Sequence, residues 1–398
     1  MMKRTSNIDV LMILRGAVED FPPTIQQANI LDENGFRVAL VDNHYKRFEA
    51  CPNVLNASIR RISIPSWDSL RDPKQGILAR WVNYRTFSKT VSHALKSLNP
   101  EVVIAFDGSG FFFLGVREKW PSGRKTLIHF HELPEVRPDL SRGGLRDVKF
   151  AMENARHADL TVFPEPNRAR IFSKAAQLAI SPRIVINCPR RLDNLPKNRL
   201  AVALESRNVD ATKAVLYQGL IGENRGLHNV IRSMPTWPAE SCFVLLGPGS
   251  ASAIARFTDL ATEVGVARRV VVLPAVTSSE VMNFTCGAKI GISLYEEIGE
   301  NERYAASNKL MEYLAVGIPQ ISSVKEGIGV KLHGHWGYVV DPNSPSEIGE
   351  AVKMIFSQEE RGLQMAQQAR QAHLYEYNYE QQFKPILDQV RNWISRVP

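Results

Sequence analysis

Cysteine is scarce in this 398-residue chain. The four present, Cys51, Cys188, Cys242 and Cys286, lie far apart, and none forms a C-x-x-C pair. That spacing argues against a disulfide framework or a cysteine metal cage and fits a reducing cytoplasm. Long apolar runs are missing too: no stretch approaches the roughly 20 residues that a membrane-spanning helix requires. The opening MMKRTSNIDVLMILRG has a basic start and a short apolar stretch that ends at Arg15 without a small-residue cleavage site. It predicts a buried strand and not a signal peptide. No G-x-G-x-x-G follows that strand, which counts against a dinucleotide-dependent oxidoreductase.

What is present suffices for full cores. Hydrophobic residues make up 44% and charged residues 23%, the balance of an ordered globular chain, and the length suggests two domains. Charge is unevenly placed. Residues 1–199 carry 31 Lys and Arg against 20 Asp and Glu, whereas residues 200–398 carry 18 against 21. A basic first half suits an anionic partner. The excess peaks in residues 60–98, where Arg60, Arg61, Arg71, Lys74, Arg80, Arg85, Lys89 and Lys96 stand against Asp68 and Asp72. Trp67, Trp81, Tyr84 and Phe87 are interleaved. Such a mixture suits an anionic membrane surface or a lipid-linked acceptor, with Arg80, Trp81, Arg85 and Lys89 as the expected contacts. A solvated basic helix is the plainer reading. No nucleic-acid-binding motif accompanies the segment, so nucleic acid is not expected as a partner.

Two halves repeat one rhythm. The first alternates short apolar runs, at 8–16, 36–42, 101–106, 125–130, 158–163 and 183–187, with helical patterns at 22–34, 74–98 and 143–157. A polar stretch follows at 189–212. The rhythm then restarts with strands at 214–219, 242–247, 269–274 and 288–294, shorter ones at 319–323 and 338–340, and helical patterns between and after them. The pattern predicts an α/β protein with two Rossmann-like, doubly wound parallel sheets. Ligands of such sheets bind where strands run out at their carboxyl ends.

Those strand ends supply the candidate site residues. After AVLYQG, the loop LIGENRGLHN places Gly219, Gly222 and Gly226 around Arg225. Glycines let backbone amides approach a phosphate, and a guanidinium can fork onto its oxygens. Gly247 ends the next strand at a tight turn. The segment SNKLMEYLAVGIP (307–319) reads as a capped helix with Asn308, Lys309 and Glu312 in its first turns. Lys309 there opposes the helix dipole unless an anion binds, and Glu312 shares roughly its face. A lysine for a diphosphate and a carboxylate for sugar hydroxyls would make a nucleotide-sugar clamp; a solvated pair is the alternative. In the first half, KTLIHFHELPE puts His129, His131 and Glu132 at a strand end, where a histidine can move a proton near neutral pH. Asp107 closes EVVIAFDGSG, and Gly16 could let a substrate approach the backbone after the first strand.

In order and spacing, VLYQGLIGENRGLHNVI, FVLLGPG, VVVLPAVTSSEVMNF, AKIGISLY, NKLMEYLAVGIPQISS and GYVVDPNSPSEIGEAV resemble the nucleotide-sugar-binding domain of GT-B fold glycosyltransferases, particularly glycosyltransferase family 4. The first half agrees more loosely through HFHE and VINCP, and YEYNYEQQF resembles the C-terminal segment that crosses back to the first domain. The resemblance implies that Glu312 holds the nucleotide ribose, that Arg225, Lys309 and Asn308 lie near the donor diphosphate and sugar, and that His131 faces the reacting sugar. Two positions depart from the family pattern: Tyr304 stands where the first glutamate of E-x7-E falls, and Leu220 stands where an arginine is common.

The expectation is therefore a GT-B protein of two domains facing across a cleft. An acceptor-side domain spans 1–195, a nucleotide-sugar domain spans 205–370, and a helical segment at 371–398 crosses back. The implied activity is retaining, metal-independent glycosyl transfer from a nucleotide sugar to a lipid-linked or polysaccharide acceptor in cell-surface glycan synthesis. It would take place in the cytoplasm or at the inner face of the membrane, without a cofactor. The expected catalytic residues are His131, Glu132, Arg225 and Lys309. Gly16, Gly219, Arg225, Gly247, Asn308, Lys309 and Glu312 are expected to bind the donor. A GT-B nucleotide-sugar epimerase and a catalytically inactive GT-B scaffold are the alternatives.

Overall fold

The computed structural model describes residues 8–45, 54–66, 76–115, 123–138, 140–205, 207 and 209–395. Two compact units emerge. The first takes the described residues up to Ile186 together with those from Phe383, and the second runs from Asn187 to Gln382.

In the first unit the strands are β1 (Val10–Ile13), β2 (Val38–Tyr45), β3 (Arg60–Ser66), β4 (Val102–Phe106), β5 (Lys125–His129), β6 (Leu160–Phe163) and β7 (Arg183–Ile184). They pair in parallel, in the order β3-β2-β1-β4-β5-β6-β7, with Val10 in register with both Val38 and Val102. Helices α1 (Pro22–Glu33), α2 (Ile77–Ser97), α3 (Asp107–Leu114), α4 (Arg142–Asn154) and α5 (Pro166–Ala175) alternate with them. Every residue of β1 and β4 is buried, because helices cover both faces of a parallel sheet; that is why those strands are continuous apolar runs.

The second unit begins with α6 (Arg199–Glu205) and a sheet of β8 (Ala214–Gln218), β9 (Cys242–Leu246), β10 (Val270–Leu273), β11 (Ile290–Ser293), β12 (Gln320–Ser322) and β13 (Gly337–Val339). Its order is β10-β9-β8-β11-β12-β13, again parallel. The helices are α7 (Leu227–Ser233), α8 (Ala251–Glu263), α9 (Val281–Thr285), α10 (Glu300–Arg303), α11 (Asn308–Val316), α12 (Ile328–Leu332), α13 (Pro345–Ser357) and α14 (Glu359–Tyr375), and α15 (Tyr379–Ser395) starts in this unit and runs on, from Phe383, as part of the first. Ser250 and Ser344 cap α8 and α13 by accepting hydrogen bonds from the backbone amides of Ala253 and Glu347. Gly317, at φ +69°, ends α11 in the left-handed conformation that glycine adopts without strain.

Three elements differ from the sequence pattern. Strand β3 has no apolar run, because it is an edge strand with one neighbour and partly exposed faces. Helix α3 hides in DGSGFFFL, whose glycines read as a loop. A Cβ at Gly108 would meet the Asp147 carbonyl oxygen at 2.6 Å, and one at Gly110 would meet that of Ile13 at 2.6 Å, so close packing demands the glycines. The single helical pattern at 359–395 breaks at Asn378, whose amide donates to the His373 carbonyl and whose oxygen accepts from the Gln381 amide.

The unit boundaries also differ from 195 and 370. Residues after Ile186 are tied to the last helices of the second unit: the His373 ring accepts from the Leu192 amide at 3.0 Å, the Tyr379 amide donates to the Pro189 carbonyl at 3.0 Å, and Glu380 pairs with Arg190. These ties give α14 and the first turn of α15 to the second unit.

Strand β3 also corrects the reading of 60–98 as one basic surface. Arg61 is a structural cation. Its guanidinium donates to Glu19 at 2.7 Å and to the fully buried Asp42 at 2.6 Å, and Ser63 donates to Asp42 at 2.6 Å. Trp67, Asp68, Arg71, Asp72 and Lys74 lie outside the described residues. Replacing Arg61 by methionine would strand the Asp42 charge, so a loss of about 3–5 kcal/mol is expected. Denaturant unfolding of the variant measures it, and an unchanged midpoint would refute the structural role.

Candidate functional site

In the second unit the site forms where β8 and β11 end. Lys309 lies in the first turn of α11, half-buried, and its Nζ donates to the Tyr295 hydroxyl at 3.1 Å. The ammonium also faces the rings of Tyr295 and Tyr217, at 5.1 Å and 5.5 Å from their centroids. Arg225 reaches the same tyrosine from the loop after β8, with its guanidinium 4.9 Å from the Tyr295 centroid. Among the described residues, no carboxylate lies within ion-pair distance of either cation. Two positive charges thus converge on one aromatic ring without a counterion, and such an arrangement accepts an anion.

The titration behaviour follows from that geometry. Burial favours the neutral phenol of Tyr295, yet Lys309, the Ser307 hydroxyl and Arg225 outweigh it and bring the pKa down to about 8. Burial likewise opposes the charge of Lys309, but the Tyr295 and Tyr217 phenols outweigh it, so the ammonium is held above its ordinary value.

Glu312 is half-buried one turn further along α11. Burial raises its pKa, and hydrogen bonding from Gln218 together with the Lys309 charge opposes that rise. Gln218, the last residue of β8, donates to one carboxylate oxygen of Glu312 and accepts from Thr285 Oγ1 at 2.7 Å. The chain Thr285–Gln218–Glu312 fixes the carboxylate.

The glycines divide by cause. Gly219 lies beside the cation cluster, where a Cβ would meet Lys309 Nζ at an ordinary 3.8 Å, and its φ of +120° is what calls for glycine. At Gly247, with φ +146°, a Cβ would meet the Gly219 carbonyl oxygen at 2.1 Å; backbone packing accounts for that glycine. Gly16 lies in the first unit, where a Cβ would meet the Phe21 ring at 2.8 Å. Gly226 opens α7 at φ +61° and donates its amide to Glu296 at 3.3 Å. Asn308 is the first residue of α11. Tyr304 is buried, at 6% exposure, and Leu220 is exposed.

In the first unit, adjacent strands bring Asp107 and His131 together. Asp107, at φ +54°, opens α3 directly from β4 and accepts from the His131 amide and ring Nδ1, both at 2.8 Å. His131 Nε2 lies 3.1 Å from Thr24 Oγ1, and Phe106 stacks on the ring at 5.3 Å. A carboxylate on Nδ1 fixes the tautomer and leaves Nε2 as the working nitrogen. Burial would raise the Asp107 pKa, but His131 holds it below the ordinary carboxylate value. His129 is not equivalent: it is buried, contacts Gln27 at 2.8 Å, and burial pushes its pKa down to about 3. Glu132 is exposed.

On α2, Arg80, Trp81, Arg85 and Lys89 are exposed, and the Arg85 guanidinium sits 4.3 Å from the Trp81 centroid. Sequence reasoning missed Tyr295, Tyr217, Gln218 and Thr285, and it named Asp107 and His131 without pairing them. Position at strand ends was the available signal for Gln218 and Tyr295; the pairing required the sheet order.

Residues 228–388 match a family described as glycosyl transferase-like. No curated protein matches the chain by sequence. Among solved structures, the chain is similar to sucrose-phosphate synthase from Thermosynechococcus elongatus, with a TM-score of 0.75, 16% identity, and 98% and 99% of the two chains covered. It is also similar to Anabaena HepE in complex with UDP and glucose, with a TM-score of 0.73, 16% identity and 97% and 100% covered. A third is WaaG, a glycosyltransferase involved in lipopolysaccharide biosynthesis, with a TM-score of 0.66, 14% identity and 96% and 99% covered. The chain has the GT-B fold, and the match to the glycosyl transferase-like family falls almost wholly in its second unit.

Ultraviolet titration should reveal a phenol with a midpoint near pH 8. It should vanish in Tyr295→Phe and move upward in Lys309→Met, where the stabilising charge is gone. Because the folded value lies below the unfolded one of about 10, the ionised pair adds stability that is full above the latter and is lost as pH falls through about 8. A spectrum with only ordinary phenols would contradict the cluster.

Proposed function

We propose that this chain, with its GT-B fold and its match to a glycosyl transferase-like family, is a retaining glycosyltransferase. It moves a sugar from a nucleotide-sugar donor to a lipid-linked or polysaccharide acceptor in cell-surface glycan synthesis. The observation that carries the reading is the convergence of Lys309 and Arg225 on Tyr295, one helical turn from the fixed carboxylate of Glu312. A nucleoside diphosphate presents what this set lacks: negative oxygens for the cations and ribose hydroxyls for the carboxylate. HepE, solved with UDP and UDP-glucose, makes a uridine nucleotide the first donor to try.

As the bond from the anomeric carbon to the diphosphate oxygen breaks, negative charge grows on the leaving group. Lys309 and Arg225 stabilise that charge in a partly dehydrated setting, where electrostatics is strong. The reading assigns charge neutralisation to side chains and calls for no metal. In the first unit, His131, oriented by Asp107, offers Nε2 for proton transfer. Tyr304 favours a second reading. A buried tyrosine where a carboxylate is usual suits an inactive scaffold, which nucleotide binding without transfer or donor hydrolysis would select.

The acceptor is proposed to be met at a bilayer on the cytoplasmic side. Helix α2 exposes Leu78 at 73%, Trp81 at 50% and Val82 at 49%, beside Arg80, Arg85 and Lys89, and the helix contains no acidic residue. Apolar side chains ringed by cations complement an anionic interface.

Two measurements test these readings. Calorimetry with UDP and other nucleoside diphosphates should show Glu312→Ala weakening binding by about 1–3 kcal/mol, the cost of losing charged hydrogen bonds; unaltered affinity removes the clamp. Phosphatidylglycerol vesicles should sediment the protein at low salt and release it at high salt, with Trp81→Ala weakening the interaction. Absence of low-salt binding leaves α2 a solvated helix.

A further inference from the structure

Arg15 and Arg146 form a second cation pair, at the carboxyl edge of the first sheet. Arg15 follows β1, and Arg146 comes from α4. Between them stands Tyr84 of α2: the guanidiniums lie 5.8 Å and 5.1 Å from its centroid. Arg15 also lies 5.0 Å from the Phe113 ring, and Arg146 lies 3.9 Å from that of Phe112. The two share one carboxylate, Asp147, and share it unequally. Arg146 donates to it at 2.6 Å and 3.0 Å, whereas Arg15 approaches no nearer than 3.7 Å. The Arg15 Nε is buried with no hydrogen-bond partner among the described residues.

The contrast with Arg61 in the same unit is instructive. Arg61 is matched by two carboxylates. Here, among the described residues, two guanidiniums have one carboxylate, so a positive charge is left over in an aromatic recess with only 18% of the Arg15 side chain exposed. Guanidinium forks match phosphate oxygens closely. The position is also suited to a substrate. Strands β1, β4 and β5 are neighbours, and Arg15, Asp107 and His131 follow their carboxyl ends, where ligands of such sheets bind.

We propose that Arg15 and Arg146 are an anion subsite that holds a phosphate group of the acceptor in the first unit. The proposal deepens the transferase reading and rests on it. The acceptor is then a phosphorylated molecule, anchored through its phosphate while a hydroxyl is presented at His131. Two carriers share that chemistry, a soluble sugar phosphate and a phospholipid-type headgroup.

The test uses full-length protein carrying Lys309→Met and Arg225→Met, which removes the two cations of the second unit's site. Thermal shift is followed against inorganic phosphate at constant ionic strength, with chloride as control. This background should keep a saturable phosphate response, and adding Arg146→Gln should weaken it at least tenfold. Arg146 is more than a third exposed, so the variant should fold, which its midpoint without phosphate checks. Should it not fold, Arg146→Lys takes its place, with a smaller loss expected because the charge stays and the fork goes. No phosphate response in the background, or one that survives Arg146→Gln, overturns the subsite. A hexose phosphate and phosphatidic acid vesicles in phosphatidylcholine are then compared. Response to either supports the proposal and identifies the carrier, whereas response to inorganic phosphate alone overturns the acceptor role. UDP binding by the unaltered protein is measured in parallel: its absence with the phosphate response intact refutes the nucleotide reading and leaves the subsite standing.

Discussion

A lysine ammonium held against tyrosines, with no carboxylate to match it among the described residues, is the constraint on which the second unit's site depends. Withdrawing a charge from water is costly unless it is paired. Lys309 is nevertheless kept charged by the Tyr295 hydroxyl and two aromatic faces, and Arg225 adds a second positive charge at the same ring. The neighbouring geometry serves this cluster. Gly247 lets the next strand end pass close to Gly219, and Gln218 fixes the Glu312 carboxylate by holding one of its oxygens. A site arranged before the ligand arrives needs little reorganisation when charge develops.

The first unit solves a different problem with different means. Its strand-end histidine is paired, orientated and stacked: Asp107 takes Nδ1, Thr24 meets Nε2, and Phe106 covers the ring. One electrostatic device gathers positive charge at a tyrosine ring; the other fixes a proton position. The cation pair at Arg15 and Arg146 shares the sheet edge with that histidine and differs from Arg61, whose charge is neutralised in place. Counting carboxylates per guanidinium separates an arginine that holds the fold from one that awaits an anion.

Much of this was legible in the sequence. The fully buried strands announced themselves as apolar runs, and the helix of Lys309 announced itself through its apolar spacing and its glycine stop. What escaped had physical reasons. Strand β3 lies at an edge and lacks an apolar run. Helix α3 contains glycines that a close backbone neighbour demands, so local propensity pointed to a loop. Tyr295 directly follows the strand expected at 288–294, and its importance comes from two cations that arrive from elsewhere. Arg61 looked like part of a basic surface because its partners, Glu19 and Asp42, are distant in the chain.

The sequence by itself determined the two parallel sheets, their strand ends as the place for chemistry, and the residues Arg225, Lys309, Glu312 and His131 as candidates. Hydrophobic periodicity is a local property, and a strand end can be found from its own run. Tertiary structure decided the partnerships: Lys309 with Tyr295, Glu312 with Gln218, His131 with Asp107, and Arg15 with Arg146. Those depend on which strands become neighbours and how loops pack above them. Electrostatic character is set by what stands within a few ångströms, and residues far apart in the chain supply it.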